Sequence, residues 1–473
     1  MDSKKIKFIA ALFSVSILFG CNSTSDFSGN SNDSFSNEDY SQVEDSQILK
    51  INSDETKKTF GFADLSLDGQ GISYPDTQNV IFIGNEGYKV SNGNFVQYTS
   101  SLSKRKVFTN AIASGLVNNS SVNSEKAIII LEGFLDLSDG KISDSDHSYF
   151  DEFDSDGKRK HQDIVYEIGS NKAILGTKNA KIAFGGLKIY AKEEGRENII
   201  IQNITFWDAH GSTEIDTKID SSSKASADNL VIEALKSSEK GMYSSVAKNI
   251  WVDHCSFTDG KCTDLIRNYN HDGAFDIKAV QNLTVSYCEF SNHDKVTLIA
   301  PNDDYKISEQ RQITFHNNYY HDAVQRLPRS RGCQLHIYNN VYDKIGTSGN
   351  SGYSLGPGTG SLYIVENSYF GNFENPSNIV QYADKSSDFQ SEYVSKFFQS
   401  GNNIQINNSN VKYDKAESLR DFEKYHLTDE KPWNIPYEYS KNMKSFSEAK
   451  QNVPNKAGAN KEFKIVCVNG STF

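Results

Sequence analysis

Three groups of charged residues in this 473-residue chain have the types and spacing to do chemistry. The first is acidic: Asp228 in ADNLVIE, then Asp272 and Asp276 in HDGAFDIK. The second is Lys295 in HDKV, and the third is Arg326, Arg329 and Arg331 in QRLPRSRG. Carboxylates held close together repel one another unless a cation is shared between them. Hard oxygen donors suit Ca2+, which takes about 6–8 of them. Three aspartates fill part of that shell and leave places for water and a substrate carboxylate. Clustered guanidiniums without interleaved acids need a polyanion or bound carboxylates to offset their repulsion. Taken alone, Asp272 and Asp276 read as solvated loop acids, the usual state of aspartate. With Asp228 in phase, a metal site is favoured. The run Lys158-Arg159-Lys160-His161 lies among many acids and reads as an ordinary salt-bridged surface.

The elements that must position these groups are visible as a repeat. A nine-residue pattern recurs as NIIIQNITF (from Asn198), NIWVDHCSF (Asn249), NLTVSYCEF (Asn282), QITFHNNYY (Gln312), QLHIYNNVY (Gln334) and SLYIVENSY (Ser361). Its apolar and variable positions alternate, which is the period of a strand. The starts lie 51, 33, 30, 22 and 27 residues apart. One strong strand per repeat of this length predicts a solenoid, here a parallel β-helix, with loops of unequal length bulging from regular coils. Stacking would align the seventh pattern position into a column of Ile204, Cys255, Cys288, Asn318, Asn340 and Asn367. Its asparagines could bond side chain to side chain, and its cysteines would be small core residues. The ninth would stack Phe206, Phe257, Phe290, Tyr320, Tyr342 and Tyr369. Asp228 lies 30 residues after Asn198 and Asp276 lies 27 after Asn249, while Lys295 lies 13 after Asn282 and Arg326 lies 14 after Gln312. Each pair is therefore expected on successive coils at nearly one phase, carboxylates facing cations on one flank.

Composition sets the outer limits. Lys+Arg 49 against Asp+Glu 61 gives a net charge of −12, which disfavours a nucleic-acid backbone as partner. The 28 Phe and 24 Tyr can build a sizeable core. The six cysteines contain no CxxC pair, so no zinc or thioredoxin-type site is indicated. Residues 1–20 carry Lys4, Lys5 and Lys7, then an apolar run from Phe8 to Phe19, and read as a secretory signal. LFGC resembles a bacterial lipobox, making Cys21 the expected lipidated residue and the only link to a membrane. Residues 21–58 hold eight acids against three lysines and little to bury, so they read as a solvated tether. Residues 59–473 form the β-helix domain, which loses the pattern over its last hundred residues. There KPWNIPYEYS, from Lys431, is expected to pack across the outside.

NIWVDHCSF resembles the vWiDH segment of the pectate lyases, polysaccharide lyase family 1. HDGAFDIK, HDKV and QRLPRSR follow in that family's order, and the likeness extends from GFADLSLDG through AIIILEG and FGGLKIYAK to PYEYS and VPNKAGA. The resemblance implies a right-handed parallel β-helix and a calcium-dependent lyase acting on polygalacturonate or demethylated pectin. It implies a secreted or cell-surface bacterial lipoprotein, expected to be monomeric. It carries calcium ligation to Asp228, Asp272 and Asp276, proton abstraction to Arg326, and substrate-carboxylate contacts to Lys295 and Arg331. Asp253 and His254 are implied to be structural. Asp272 stands where some members have Glu, and Ser226 where some have Asp. A free arginine is always protonated, so a base at Arg326 requires cationic neighbours that disfavour its charge, and predicts an alkaline optimum.

Three other functions compete. A hydrolase would need a pair of acids, and Asp303-Asp304 is the one adjacent candidate near the motifs. A pectin lyase would not need the aspartate cluster. A catalytically silent glycan-binding lipoprotein would have no use for both Arg326 and Lys295.

Overall fold

The computed structural model describes residues 59–461 outside 66–70, 92, 141–163, 178, 210–226, 240–241, 260–271, 301–307, 347–351, 374–378, 382–394, 407–408 and 412–426. The signal, Cys21, the tether, the basic run at 158–161, Ser226, Cys262, Asp303-Asp304 and Cys467 lie outside the described residues.

The chain winds through three sheets in turn. Arg196–Gln202 in the first sheet is followed by Thr205–Trp207 in the second and Leu230–Lys236 in the third, and Ala247–Asp253 then returns to the first. Neighbouring coils pair in parallel in all three sheets. This is the expected parallel β-helix. Ile199, Ile201, Ile250, Val252, Leu283 and Val285 point inward from the first sheet and are fully buried, so each strand shares its apolar face with the coils above and below.

The repeat also extends further than the six patterned copies. Val80–Ile83, Ala127–Leu131 and Lys172–Gly176 precede them in the first sheet, and Lys396–Ser400 follows. These strands carry the apolar alternation without the flanking Asn and aromatic residues that made the others recognisable.

The first sheet turns into the second through a corner of left-handed residues. Asn203, His254, Tyr287, Asn317, Asn339 and Asn367 have φ between 47° and 58°. Asparagine tolerates this conformation better than other side-chain-bearing residues. Asn367 thus belongs to the corner, because Gln334 pairs with Leu362 and shifts the last pattern copy by one residue. Ser368 takes its place in the seventh-position column, and Phe370 replaces Tyr369 in the aromatic stack. That stack is continuous, with ring centroids 4.9 Å apart from Phe206 to Tyr342 and 4.6 Å from Tyr342 to Phe370.

The column asparagines do not bond to one another. Asn318 Oδ1 accepts from Cys288 N at 2.8 Å, and Asn340 Oδ1 accepts from Asn318 N at 2.7 Å. A side-chain ladder does exist, at the first pattern position. There Asn198 donates to Asn171 at 3.0 Å and Asn282 to Asn249 at 2.9 Å. Cys255, Cys288 and Cys333 are free thiols in the core.

Two helices were not apparent from the repeat. Lys104–Ser114 starts at the Ser103 cap, ends at Gly115 (φ 77°), and buries Val107, Phe108, Ala111 and Ile112 against the first coils. Phe446–Lys456 starts in a Ser445/Glu448 capping box and lays Ala449 and Val453 on Val341 and Tyr369.

The segment from Lys431 crosses the outer face of the first sheet as expected. Trp433 donates to Leu362 O at 3.1 Å, and Tyr437 OH meets Thr314 at 2.6 Å and His336 at 2.7 Å. Phe62, near the start of the domain, stacks on Trp433 at 5.4 Å. Burial pushes the enclosed His336 imidazole down from 6.5 to about 4 against the pull of Glu366. The unfolded chain therefore takes up this proton more readily, and His336 contributes stability that is present above 6.5 and lost as pH falls toward 4. Chemical unfolding should show a loss of up to about 3 kcal/mol across that window. A flat profile, or one unchanged by His336→Gln, would refute this.

Candidate active site on the third sheet

Leu230 pairs with Phe275, which brings Asp228 level with Gly273, and Gly273, Lys295, Gln325 and Tyr353 bridge one another in succession. The sequence phase placed Asp228 over Asp276; the register places it over Gly273, with Asp272 and Asp276 on either side. The long loop before Asp228 accounts for the shift. The convergence survives it: Asp228, Asp272 and Asp276 each present a carboxylate oxygen, all within 4.8 Å of one another.

The polypeptide fixes each carboxylate separately. Gly273 N–H donates to Asp228 Oδ1 at 2.6 Å, and Leu298 N–H donates to Asp276 Oδ1 at 2.8 Å. Lys295 Nζ donates to Asp272 Oδ1 at 2.6 Å. Burial pushes the Asp276 carboxyl up to about 7, with the Asp272 charge adding to the rise while Leu298 N–H, Arg326 and Lys295 oppose it. Such a cluster is short of positive charge.

Gly273 is a functional residue that the sequence reading passed over. A Cβ there would lie 2.6 Å from Asp276 Oδ1 and 2.8 Å from Asp228 Oδ1. Only hydrogen fits between these two acids; a glycine flanked by carboxylates was the available signal. An all-oxygen donor set around a cradle that a methyl group would fill fits a hard divalent cation such as calcium.

Arg326 reaches the same flank through a bulge. Lys295 pairs with Gln325, but three residues further on Leu298 pairs with Arg329, so two residues on one coil oppose three on the next. Arg326 takes the left-handed conformation in this bulge (φ 64°), and its carbonyl accepts from Thr297 N–H at 2.7 Å. Val296 and Ser354 on the flanking coils are fully buried, whereas Arg326 is partly exposed. Bulges next to functional sites re-aim side chains in this way, and the left-handed backbone costs roughly 1–2 kcal/mol. Arg326 Nε is buried and makes no hydrogen bond among the described residues.

Arg331 lies further along the same strand direction and donates to Ala300 O at 3.1 Å. Tyr353, one coil beyond Gln325, has its phenol pushed up by burial, against the nearby charges of Arg329, Arg326 and Arg331. Asp253 and His254 stand apart, on the first sheet. Their side chains meet at 2.8 Å, and Asp253 also accepts from Ser286 at 2.6 Å and Gln202 at 3.1 Å. Burial raises the Asp253 carboxyl, but His254 and Ser286 outweigh it and hold it below its ordinary range. This is a structural network.

Comparison with known proteins agrees with the geometry. The family model for pectate lyase matches residues 71–462. Pectate lyase E of Dickeya chrysanthemi is 30% identical over 360 residues, covering 72% of this chain and 81% of that protein. Pectate trisaccharide-lyase of Thermotoga maritima is 34% identical over 200 residues, covering 40% of this chain and 46% of that protein. The chain spans about half the length of the first curated relatives it matches. The solved structure of a thermostable pectate lyase aligns with a TM-score of 0.62 at 25% identity, covering 85% of this chain and 97% of that one. With the family model matching well over half of its length, the chain belongs to the pectate lyase family.

Proposed function

We propose that the protein is a calcium-dependent pectate lyase. It cleaves the α-1,4-galacturonan of polygalacturonate or demethylated pectin by β-elimination and leaves 4,5-unsaturated oligogalacturonates. The observation that carries this reading is the meeting of three carboxylates with an arginine turned outward by a bulge. Asp228, Asp272 and Asp276 would hold the calcium. When bound, calcium withdraws charge from a substrate carboxylate and acidifies the adjacent C5 proton. Lys295 and Arg331 hold the sugar carboxylates and fix the ring. Arg326 takes the C5 proton, a C4–C5 double bond forms, and the glycosidic oxygen leaves C4 with its electron pair. No water is consumed.

Absorbance of the unsaturated uronate tests this. Polygalacturonate should yield the chromophore, a chelator should abolish it, and added calcium should restore it. A hydrolase would give reducing ends without the chromophore, and a silent binder would give neither. The same assay on washed cells tests a further part of the proposal, that Cys21 carries a lipid and tethers the domain at the cell surface. Activity that stays on the cells should pass into the medium with Cys21→Ser, and activity that ignores the substitution would refute the tether.

A further inference from the structure

Lys295 and Asp272 have separate tasks in that reading, one for substrate and one for the metal, yet they are bonded to each other. Lys295 Nζ stands 2.6 Å from Asp272 Oδ1, with the lysine side chain 14% and the aspartate side chain 34% exposed. Lys295 approaches from the coil next to Gly273, so its ammonium enters the acid cluster from the side. Another lysine nearby behaves differently. Lys278, two residues after Asp276, is committed to Glu233, which also meets Lys188 at 3.5 Å. One lysine is therefore held by a cluster acid and the other is held away from it.

We propose that Lys295 is the resident counter-cation of Asp272 and yields this carboxylate when a divalent cation binds, which frees its ammonium for the carboxylate of an acidic sugar. The inference rests on the calcium reading of the three aspartates. A monovalent ammonium on a partly exposed carboxylate is a weak competitor, because such pairs are individually worth little. The exchange therefore needs only modest cation affinity. It also links the two ligands: whatever Lys295 costs the cation in the free protein returns as tighter uronate binding once the cation is present, and the coupling is reciprocal.

Calorimetric titration of calcium into the full-length, substrate-free protein tests this. Lys295→Met and Lys295→Gln should each bind calcium about fivefold more tightly than wild type, as expected for loss of a competing surface ion pair. Lys278→Met removes the same charge from the same sheet without touching Asp272, and should stay within about twofold of wild type on the same reasoning. Saturated digalacturonate supplies the second readout: the gain in its affinity on adding calcium should shrink about fivefold in Lys295→Met. Lys295 variants that bind calcium no more tightly than Lys278→Met would overturn the proposal while leaving the calcium site intact. A wild-type protein that binds no calcium would overturn the site as well, and the two failures are distinguishable in one set of titrations.

Discussion

Arg326→Lys is expected to fold, to bind calcium as tightly as wild type, and to lose about 10²–10⁴-fold in kcat, the range for removal of a positioned proton-transfer group. Lysine keeps the positive charge and most of the length, so the substitution separates proton transfer from attraction of the polyanion. The left-handed bulge aims the side chain, and lysine can adopt that backbone at similar cost to arginine. What changes is the group at the end, because a compact ammonium cannot reproduce the planar fork of a guanidinium. The measurement is the initial rate of chromophore formation at saturating polygalacturonate, with calcium affinity determined separately. A variant that keeps its kcat would remove Arg326 as the base.

Gly273→Ala is expected to weaken calcium binding by about 10²-fold or more, toward the upper end of what lost metal-site support costs. The added methyl would sit well inside contact distance of two carboxylate oxygens, 2.6 Å and 2.8 Å away. Either the carboxylates separate or the strand shifts, and both spoil the pocket. Leu230 and Phe275 beside it are fully buried and hold the strand in place, so most of the change should fall on the acids. Calcium calorimetry measures the loss, and circular dichroism checks that the β-helix persists. Unchanged affinity in a folded variant would mean that calcium binds elsewhere.

How far the sequence disclosed this site follows from what its signals measure. Strand alternation and the Asn and aromatic columns record packing between coils, so they revealed the β-helix wherever those residues occur. They were silent for Val80–Ile83, Ala127–Leu131 and Lys172–Gly176, which pack by aliphatic burial alone. Asn367 misled because asparagine serves two purposes here, as a corner residue in left-handed conformation and as a partner for backbone N–H groups. The helix Lys104–Ser114 had its own signal in Ser103 and Gly115, but this is local capping, invisible to a search for repeats.

At the site, the charged residues themselves were legible and their register was not. Counting from a strand start fails across loops of unequal length, so Asp228 landed over Gly273 and not over Asp276. Where the intervening turn is short, the count succeeded. Arg326 lies 14 residues into its repeat against 13 for Lys295, and that single residue is the bulge.

That odd residue makes proton abstraction and architecture nearly independent properties of the gene. The coils on either side run without the surplus residue, so the ribbon has no need of it to stack. Loss of one codon between Gln312 and Arg326 would bring this turn into step with its neighbours and direct the guanidinium toward the interior, with the acid pocket left in place. A lineage could in this way pass from a polymer-cutting enzyme to a polymer-holding lectin in one mutational event, which makes the length of this turn, ahead of its composition, the trait to compare among relatives.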